Sequence, residues 1–531
     1  LWWESMAGGM GGFYGFYPDS PYPYPNPEQL RTHYTFWHTN NRFRLDMHRA
    51  NSLSNDANVL SVPSKLHCVF YDENVSSIHM DLSGMPGAQP AIAIDTNKQY
   101  KEIKIGTLSA KEHLWKAPYR SDWAVAVGDF DKAGPAAKLH DSDGQIIADP
   151  ERPQWLKRSD GRPFFMCGPG DPEGFLYRGR LKADGTRAGD QTELIEKMKG
   201  TGANCIYLMA IRSHGGDGDK THNPFVNHDP AKDINPAVLD QWEAWFTEMD
   251  ESDIVIYLFL YDDSARVWRT GDRVGDEEKN FIHTLVNRFE RHRNLIWCIA
   301  EEYQEAFSAK RVKNIAAEIR SADDYDHVIA VHKLNGLDFS ELADEPNIDQ
   351  FAIQYNVETA DELHTGLVKA WKQAGGRYNL NMSEAADYGT GAEARQKSWA
   401  CAMAGAYVMI LGMDIATTAK SDLQDCGRLV RFFESTDFQK MSPHDDLGFA
   451  GTQYVLARPG GSYIAYASKL QGKIGLKNMR AGVYKLRWFD CVAGSEVTKE
   501  NVTVAAGDRS WHKPGGIGNE LAVYIERIGG L

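Results

Sequence analysis

Between residues 155 and 416 short apolar runs alternate with longer amphipathic stretches, and very few folds accept that pattern. The apolar runs are Pro163–Cys167, Cys205–Ala210, Ile254–Leu260, Leu295–Ala300, Val328–His332, Gln350–Gln354, Tyr378–Met382 and Tyr407–Leu411. Their length fits strands buried on both faces. Period-3.6 stretches between them predict helices over Gln191–Lys199, Ala237–Met249, Glu277–Arg291, Ala309–Ile319, Ala360–Ala374 and Ala392–Ala404. Eight such strands, each needing cover, give an α/β fold of the (β/α)₈ barrel type. A doubly wound open sheet would want GxGxxG after its first strand; this chain has GPGDPEG after Cys167.

The two ends look alike. Trp3 precedes a small-residue run closing on Gly15, and Trp399 precedes one closing on Gly412. Each is followed by a polar helix with paired aromatics, Phe36-Trp37 and Phe432-Phe433, and then by alternating, strand-like sequence. Residues 1–127 therefore read as a divergent copy of 398–527. The expected domains are a partial barrel-end repeat (1–50), a β-sandwich (51–150), the barrel (151–440) and a C-terminal β-sandwich (441–531). The first copy lacks a barrel ahead of it, so its missing part is expected in a longer precursor or in a second chain.

Composition narrows the function. The net charge of −15 argues against nucleic acid, whose phosphates attract Lys and Arg. No apolar run approaches the length of a bilayer span. The seven cysteines show no CxxC spacing and are odd in number, which excludes a complete disulfide framework. No GxSxG elbow supports serine chemistry.

Barrel chemistry sits where strands end at their C-termini. Those positions hold Asp171, Arg212 and His214, Asp262, Glu301 and Glu302, His332, Tyr355, and Glu384. Glu302 follows strand 4 and Glu384 follows strand 7, on opposite sides of the mouth. Two carboxylates facing each other across about 5 Å are what retaining glycosidases use, one protonated and one ionised. Trp268, in the loop after strand 3, is a candidate platform for a sugar ring. The run His214-GGDGDKTHNPFVNHD is read as a substrate-binding loop, with calcium as an optional ligand; no cofactor is required.

These phrases resemble clan A glycoside hydrolases. NLIWCIAEE at 294–302 is similar to that clan's strand-4 phrase, whose final Glu is the acid/base, which implies that role for Glu302. NLNMSE at 379–384 is similar to the strand-7 phrase that ends in the nucleophile, which implies that role for Glu384. The clan keeps Asn before the acid/base to hold the sugar 2-hydroxyl; this chain has Glu301 there. Related barrels also place a Tyr after strand 6 that bonds the nucleophile, which implies that role for Tyr355. A closer resemblance is to apiosidase-like barrels carrying a small C-terminal β-domain of the collagenase, collagen-binding type. RSDGRPFF at 158–165 and the Trp399–Ala406 segment carry it. The resemblance implies a glycosidase acting on a plant, algal or microbial polysaccharide or oligosaccharide, in an extracellular or periplasmic setting. The expected partner is that carbohydrate, with no nucleic acid or membrane. A homo-oligomer or a second chain that completes the N-terminal repeat is a further candidate. Two other readings remain: a non-catalytic carbohydrate- or matrix-binding protein, and a polysaccharide lyase.

Overall fold

The computed structural model describes residues 2–7, 26–38, 42, 47–62, 65–128, 130, 144–170, 174–385, 388–411 and 414–530. The chain divides into two compact units, Leu1–Lys138 and Leu139–Leu531.

The larger unit holds the barrel. Its strands are β1 Cys167–Gly170, β2 Cys205–Met209, β3 Val255–Tyr261, β4 Leu295–Ala300, β5 Val328–Lys333, β6 Gln350–Gln354, β7 Asn379–Glu384 and β8 Ala406–Leu411. Neighbours from β2 to β8 pair in parallel, and β8 pairs with β1. Asn204 bridges β1 and β2: its N–H donates to the Cys167 carbonyl (3.0 Å), and its Oδ1 accepts the Cys167 N–H (2.9 Å). Helices α1 Gln191–Met198, α2 Pro236–Glu251, α3 Asp276–Phe289, α4 Ala309–Ala322, α5 Ala360–Ala374, α6 Ala392–Met403 and α7 Lys420–Glu434 cover the ring. Among the described residues, β5 and β6 are joined without a helix.

The first strand begins later than expected. Pro163 makes only a bridge to Lys157, and β1 starts at Cys167. Proline has no N–H to give a ladder, and the Phe165 N–H goes to the Glu434 side chain (3.0 Å). The seven cysteines are all buried free thiols.

Behind the barrel mouth, one buried polar clamp joins three elements. Glu278 of α3 accepts two hydrogen bonds from Nη2 of Arg311 (2.7 and 2.8 Å) on α4 and one from the Tyr261 hydroxyl (2.8 Å) of β3. Such a pair persists only when its lone pairs are fully used.

After α7 the chain forms an antiparallel sheet in the order Ser442–Pro443, Tyr454–Arg458, Ser462–Ala467, Leu521–Gly529, Gly482–Asp490, Glu496–Val504. A second sheet holds Gly448–Ala450, Lys473–Met479 and Gly507–His512. The seam with the barrel is aromatic. Trp399 of α6 stacks on Tyr466 (5.2 Å, 8°) and meets Phe432, Phe433 and Phe489.

The smaller unit repeats this plan within itself. Its sheet runs His48–Arg49, Asn58–Ser61, Cys68–Asp81, Glu112–Val127, Gln89–Asp95, Ile103–Leu108, so its last strand in sequence again lies in the middle of the sheet. Here one bulged strand, Cys68–Asp81, pairs with Glu112–Val127 along its whole length, where the C-terminal domain uses separate strands in two sheets. Trp2 stacks on Tyr71 (5.1 Å, 14°) and packs on Phe36 and Trp37. The small-residue run at 8–15 lies outside the described residues.

Trp399→Ala is expected to cost about 3–5 kcal/mol, the usual range for emptying a large aromatic site. Chemical denaturation of the full chain reads this as a lower midpoint; an unchanged midpoint would show that the seam contributes nothing to stability.

Candidate active site

Parallel pairing puts every strand's C-terminal end at one mouth, and two local irregularities aim the side chains there. The first is in β7. The register with β6 runs Ile353 to Met382 and then Gln354 to Glu384, leaving Ser383 as an extra residue. Its hydroxyl donates to the Ile353 carbonyl (3.0 Å). A bulge of this kind re-aims the residue after it, and that residue is Glu384. The second follows β4. Glu302 is left-handed (φ 36°, ψ 49°), a conformation that costs a non-glycine residue about 1–2 kcal/mol. What holds it is the ring of His332 at the end of β5, whose Nδ1 accepts the Glu302 N–H (3.1 Å).

That bond fixes the imidazole's tautomer. A nitrogen that accepts cannot carry the proton, so neutral His332 is protonated at Nε2. Burial pushes its pKa down to about 3, which keeps the ring neutral. Nε2 lies 3.8 Å from Oε2 of Glu384 and has no hydrogen-bond partner among the described residues.

Gln354, at the end of β6, lies beside both carboxylates. Its side-chain N–H donates to Oε1 of Glu302 (2.5 Å), and the residue is paired with Glu384 in the β6–β7 ladder. Burial first, then the charge of Glu384, then that of Glu305, pushes the Glu302 pKa up to about 7. Burial also raises Glu384. Glu301 is buried and accepts the Tyr207 hydroxyl (2.9 Å). Beside them Asp263 is pushed up to about 7 by burial and by the charges of Asp262 and Asp217.

The other candidates are placed as follows. Arg212 and Asp262 are both buried and pair with each other (3.1 Å), and Asp262 also accepts the Asp217 N–H (3.1 Å). The Tyr355 ring lies against α5: a Cβ at Gly366 would lie 2.5 Å from it. Among the described residues no hydrogen bond joins its hydroxyl to Glu384. His214 and Trp268 line one cavity of about 530 Å³ with Arg266, Arg269 and Phe307, beside the mouth. Asp171 lies outside the described residues. Sequence reasoning placed Gln354 at its strand end but gave it no role, and it passed over Tyr207 and Glu305. A side-chain amide one residue before a mouth position was the available signal.

Among the described residues three clusters bring metal-ligand atoms together: Glu301, His332 and Glu384; Asp262, Asp263 and Glu301; and Asp263, Glu302 and Glu305. In the loop after β2, Asp219 and Asp229 use their carboxylates to close turns, on Thr221 and on Ala231. At the centre, Glu301, His332 and Glu384 bring ligand-type atoms within 4.8 Å of one another. There the Nε2 proton makes His332 a donor rather than a ligand.

Residues 151–413 match the family model for the apiosidase-like catalytic domain. No curated protein matches the chain. The fold is shared with a glycoside hydrolase family 5 structure from Bacteroides vulgatus (14% identity, 74% of this chain and 95% of that chain, TM-score 0.55). A second glycoside hydrolase structure is similar (13% identity, 73% of this chain and 98% of that chain, TM-score 0.54).

Replacing Glu384 by Gln removes a negative charge beside Glu302, so the Glu302 pKa is expected to fall below its value of about 7. Carboxyl-resolved NMR titration of wild type and E384Q checks this; an unchanged Glu302 titration would mean that the two groups are not electrostatically coupled.

Proposed function

Taking the barrel as the catalytic domain of a glycosidase, we propose that Glu302 is its acid/base, Glu384 its nucleophile, and that hydrolysis retains anomeric configuration. One observation carries this reading: Glu302, held by Gln354 at the mouth, is kept at about 7 by burial and by the charge of Glu384.

In the first step Glu384, as carboxylate, attacks the anomeric carbon. The glycosidic C–O bond breaks, and the Glu302 proton goes to the leaving oxygen. In the second step Glu302, now a carboxylate, takes a proton from water. The water oxygen attacks the same carbon, and Glu384 departs as a carboxylate. Gln354 donates to Glu302 and so favours its ionised form. His332 stays neutral and holds the Glu302 backbone.

The substrate class is a plant, algal or microbial polysaccharide or oligosaccharide, met outside the cytoplasm. The C-terminal β-domain at 441–531 is read as the collagenase-type module of such barrels. A carboxyl beside a second carboxylate and held at about 7 favours catalysis over simple binding. A lyase reading is disfavoured by Tyr355, which lies against α5, and by Arg212, which pairs with Asp262.

Glu302→Gln and Glu384→Gln are each expected to lower kcat by about 10²-fold or more on a polysaccharide panel scored for reducing ends, with the circular dichroism spectrum unchanged. NMR of the first-formed anomer should show retention; inversion would overturn the assignment of Glu384. For wild type, kcat/KM should fall as pH rises through about 7, where Glu302 loses its proton. A flat profile from pH 6 to 9 would remove Glu302 from the acid role.

A further inference from the structure

The barrel lacks one covering helix, and a groove stands in its place. β5 and β6 are joined by the segment 334–349, which forms no helix, so a loop fills the position between α4 and α5. Beside α5 lies a groove of about 610 Å³, the size of a ligand cleft. Leu337 of that loop, with Tyr355 and Val357 after β6, makes its apolar floor, and Thr365, Lys369 and Gln373 of α5 line its wall. The floor depends on one glycine. Glycine weakens a helix interior, yet Gly366 stands in the middle of α5. A Cβ there would lie 2.5 Å from Cε1 of Tyr355 and 3.0 Å from Cδ1 of Leu337, so only glycine lets both side chains seat against the helix.

The groove is tied to the mouth. The Gln354 side chain that donates to Glu302 also accepts the Asn335 N–H at Oε1 (2.5 Å), and the Gln354 carbonyl accepts the Gly336 N–H (2.9 Å). The Tyr355 N–H donates to the Glu384 carbonyl (2.9 Å). The loop bordering the groove and the ring on its floor each hang on a residue beside the two carboxylates. The lining suits a sugar. A Tyr ring flanked by Leu337 and Val357 offers a flat apolar surface to the C–H face of a sugar ring. The hydroxyls of Tyr355 and Thr365, the Lys369 ammonium and the Gln373 amide have no side-chain partner among the described residues, which leaves them for the hydroxyls of a ligand. An apolar helix laid in the same groove would cover these donors without pairing them.

We propose that this groove binds further sugar units of the chain being cleaved, with Tyr355 as their platform and Lys369 as a hydrogen-bond donor. The inference rests on the barrel being a glycosidase with Glu384 as nucleophile. It assigns the enzyme a chain substrate, because units beyond the cleaved bond have a place to lie that a single glycoside would leave empty.

Native affinity electrophoresis in gels cast with xylan, galactomannan, arabinogalactan or pectin reads binding directly, with Glu384→Gln as the parent so that the gel is not digested. At least one polysaccharide should retard the parent. Tyr355→Ala and Lys369→Ala in that background should each raise the dissociation constant by about fivefold or more. Lys372→Ala, on α5 but outside the groove, should match the parent. With Glu384 restored, the same two variants should lose more kcat/KM on long oligosaccharides of the retarding polysaccharide than on short ones, through KM. A merely structural role would lower all lengths alike. Lys369 is exposed, so its variant decides the matter should Tyr355→Ala fail to fold.

No retardation in any gel, retardation unchanged in the variants, or equal losses at every length would each overturn the proposal. So would a dimer in light scattering that Lys369→Ala dissolves, since a second copy would then occupy the groove. The two readings fail separately. Hydrolysis retained in Glu384→Gln sinks the nucleophile assignment, whereas unchanged retardation with Glu384→Gln inactive sinks only the groove.

Discussion

The site depends on one hydrogen bond, from the Glu302 backbone N–H to Nδ1 of His332 (3.1 Å). It holds Glu302 in a left-handed conformation that an isolated chain would leave. It also fixes the proton of His332 on Nε2, which turns a potential metal ligand into a donor facing Glu384. Both proposed catalytic groups are thus tied to one buried ring. The ring is itself backed by Phe259 of the barrel interior (6.2 Å). A small slip of β5 against β4 would undo the backbone position of one carboxylate and the surroundings of the other.

Around that bond the mouth is arranged by charge. Glu301, Glu302, Glu384, Asp262 and Asp263 crowd one end of the ring, and Asp262 pairs with the buried Arg212. Like charges in a partly dry site raise each other's proton affinity. Burial first, and then these neighbouring charges, take Glu302 and Asp263 both to about 7. Gln354 works in the other direction on Glu302, to which it donates.

The chain has two tails of one design. In each, a Trp stacks on a strand Tyr beside a paired aromatic of the following helix: Trp2 on Tyr71, and Trp399 on Tyr466. In each, the last strand in sequence inserts into the middle of its sheet. Large aromatics at a helix–sheet seam bury much area with few side-chain torsions to freeze.

Much of the fold was legible because its signal is local. Strands β4 and β6 lie where the apolar runs place them, and α5 matches its periodic stretch end to end. Each was bounded by residues that stop it, such as the Thr359–Glu362 capping box at the start of α5. The start of β1 was misread because Phe164 and Phe165 look like strand residues, while the proline before them and the side chain of Glu434 decided otherwise. By itself the sequence determined the order of strands and helices, and with it the ring of mouth residues that includes Glu302, His332 and Glu384. Hydrophobic period and chain direction are properties of neighbouring residues. Only the tertiary structure decided which mouth residues act together: that Gln354 bonds Glu302, that Arg212 pairs with Asp262, and that Ser383 is bulged out to aim Glu384. Those outcomes depend on the register between strands and on which charges burial brings together, and neither is encoded in any short stretch of chain.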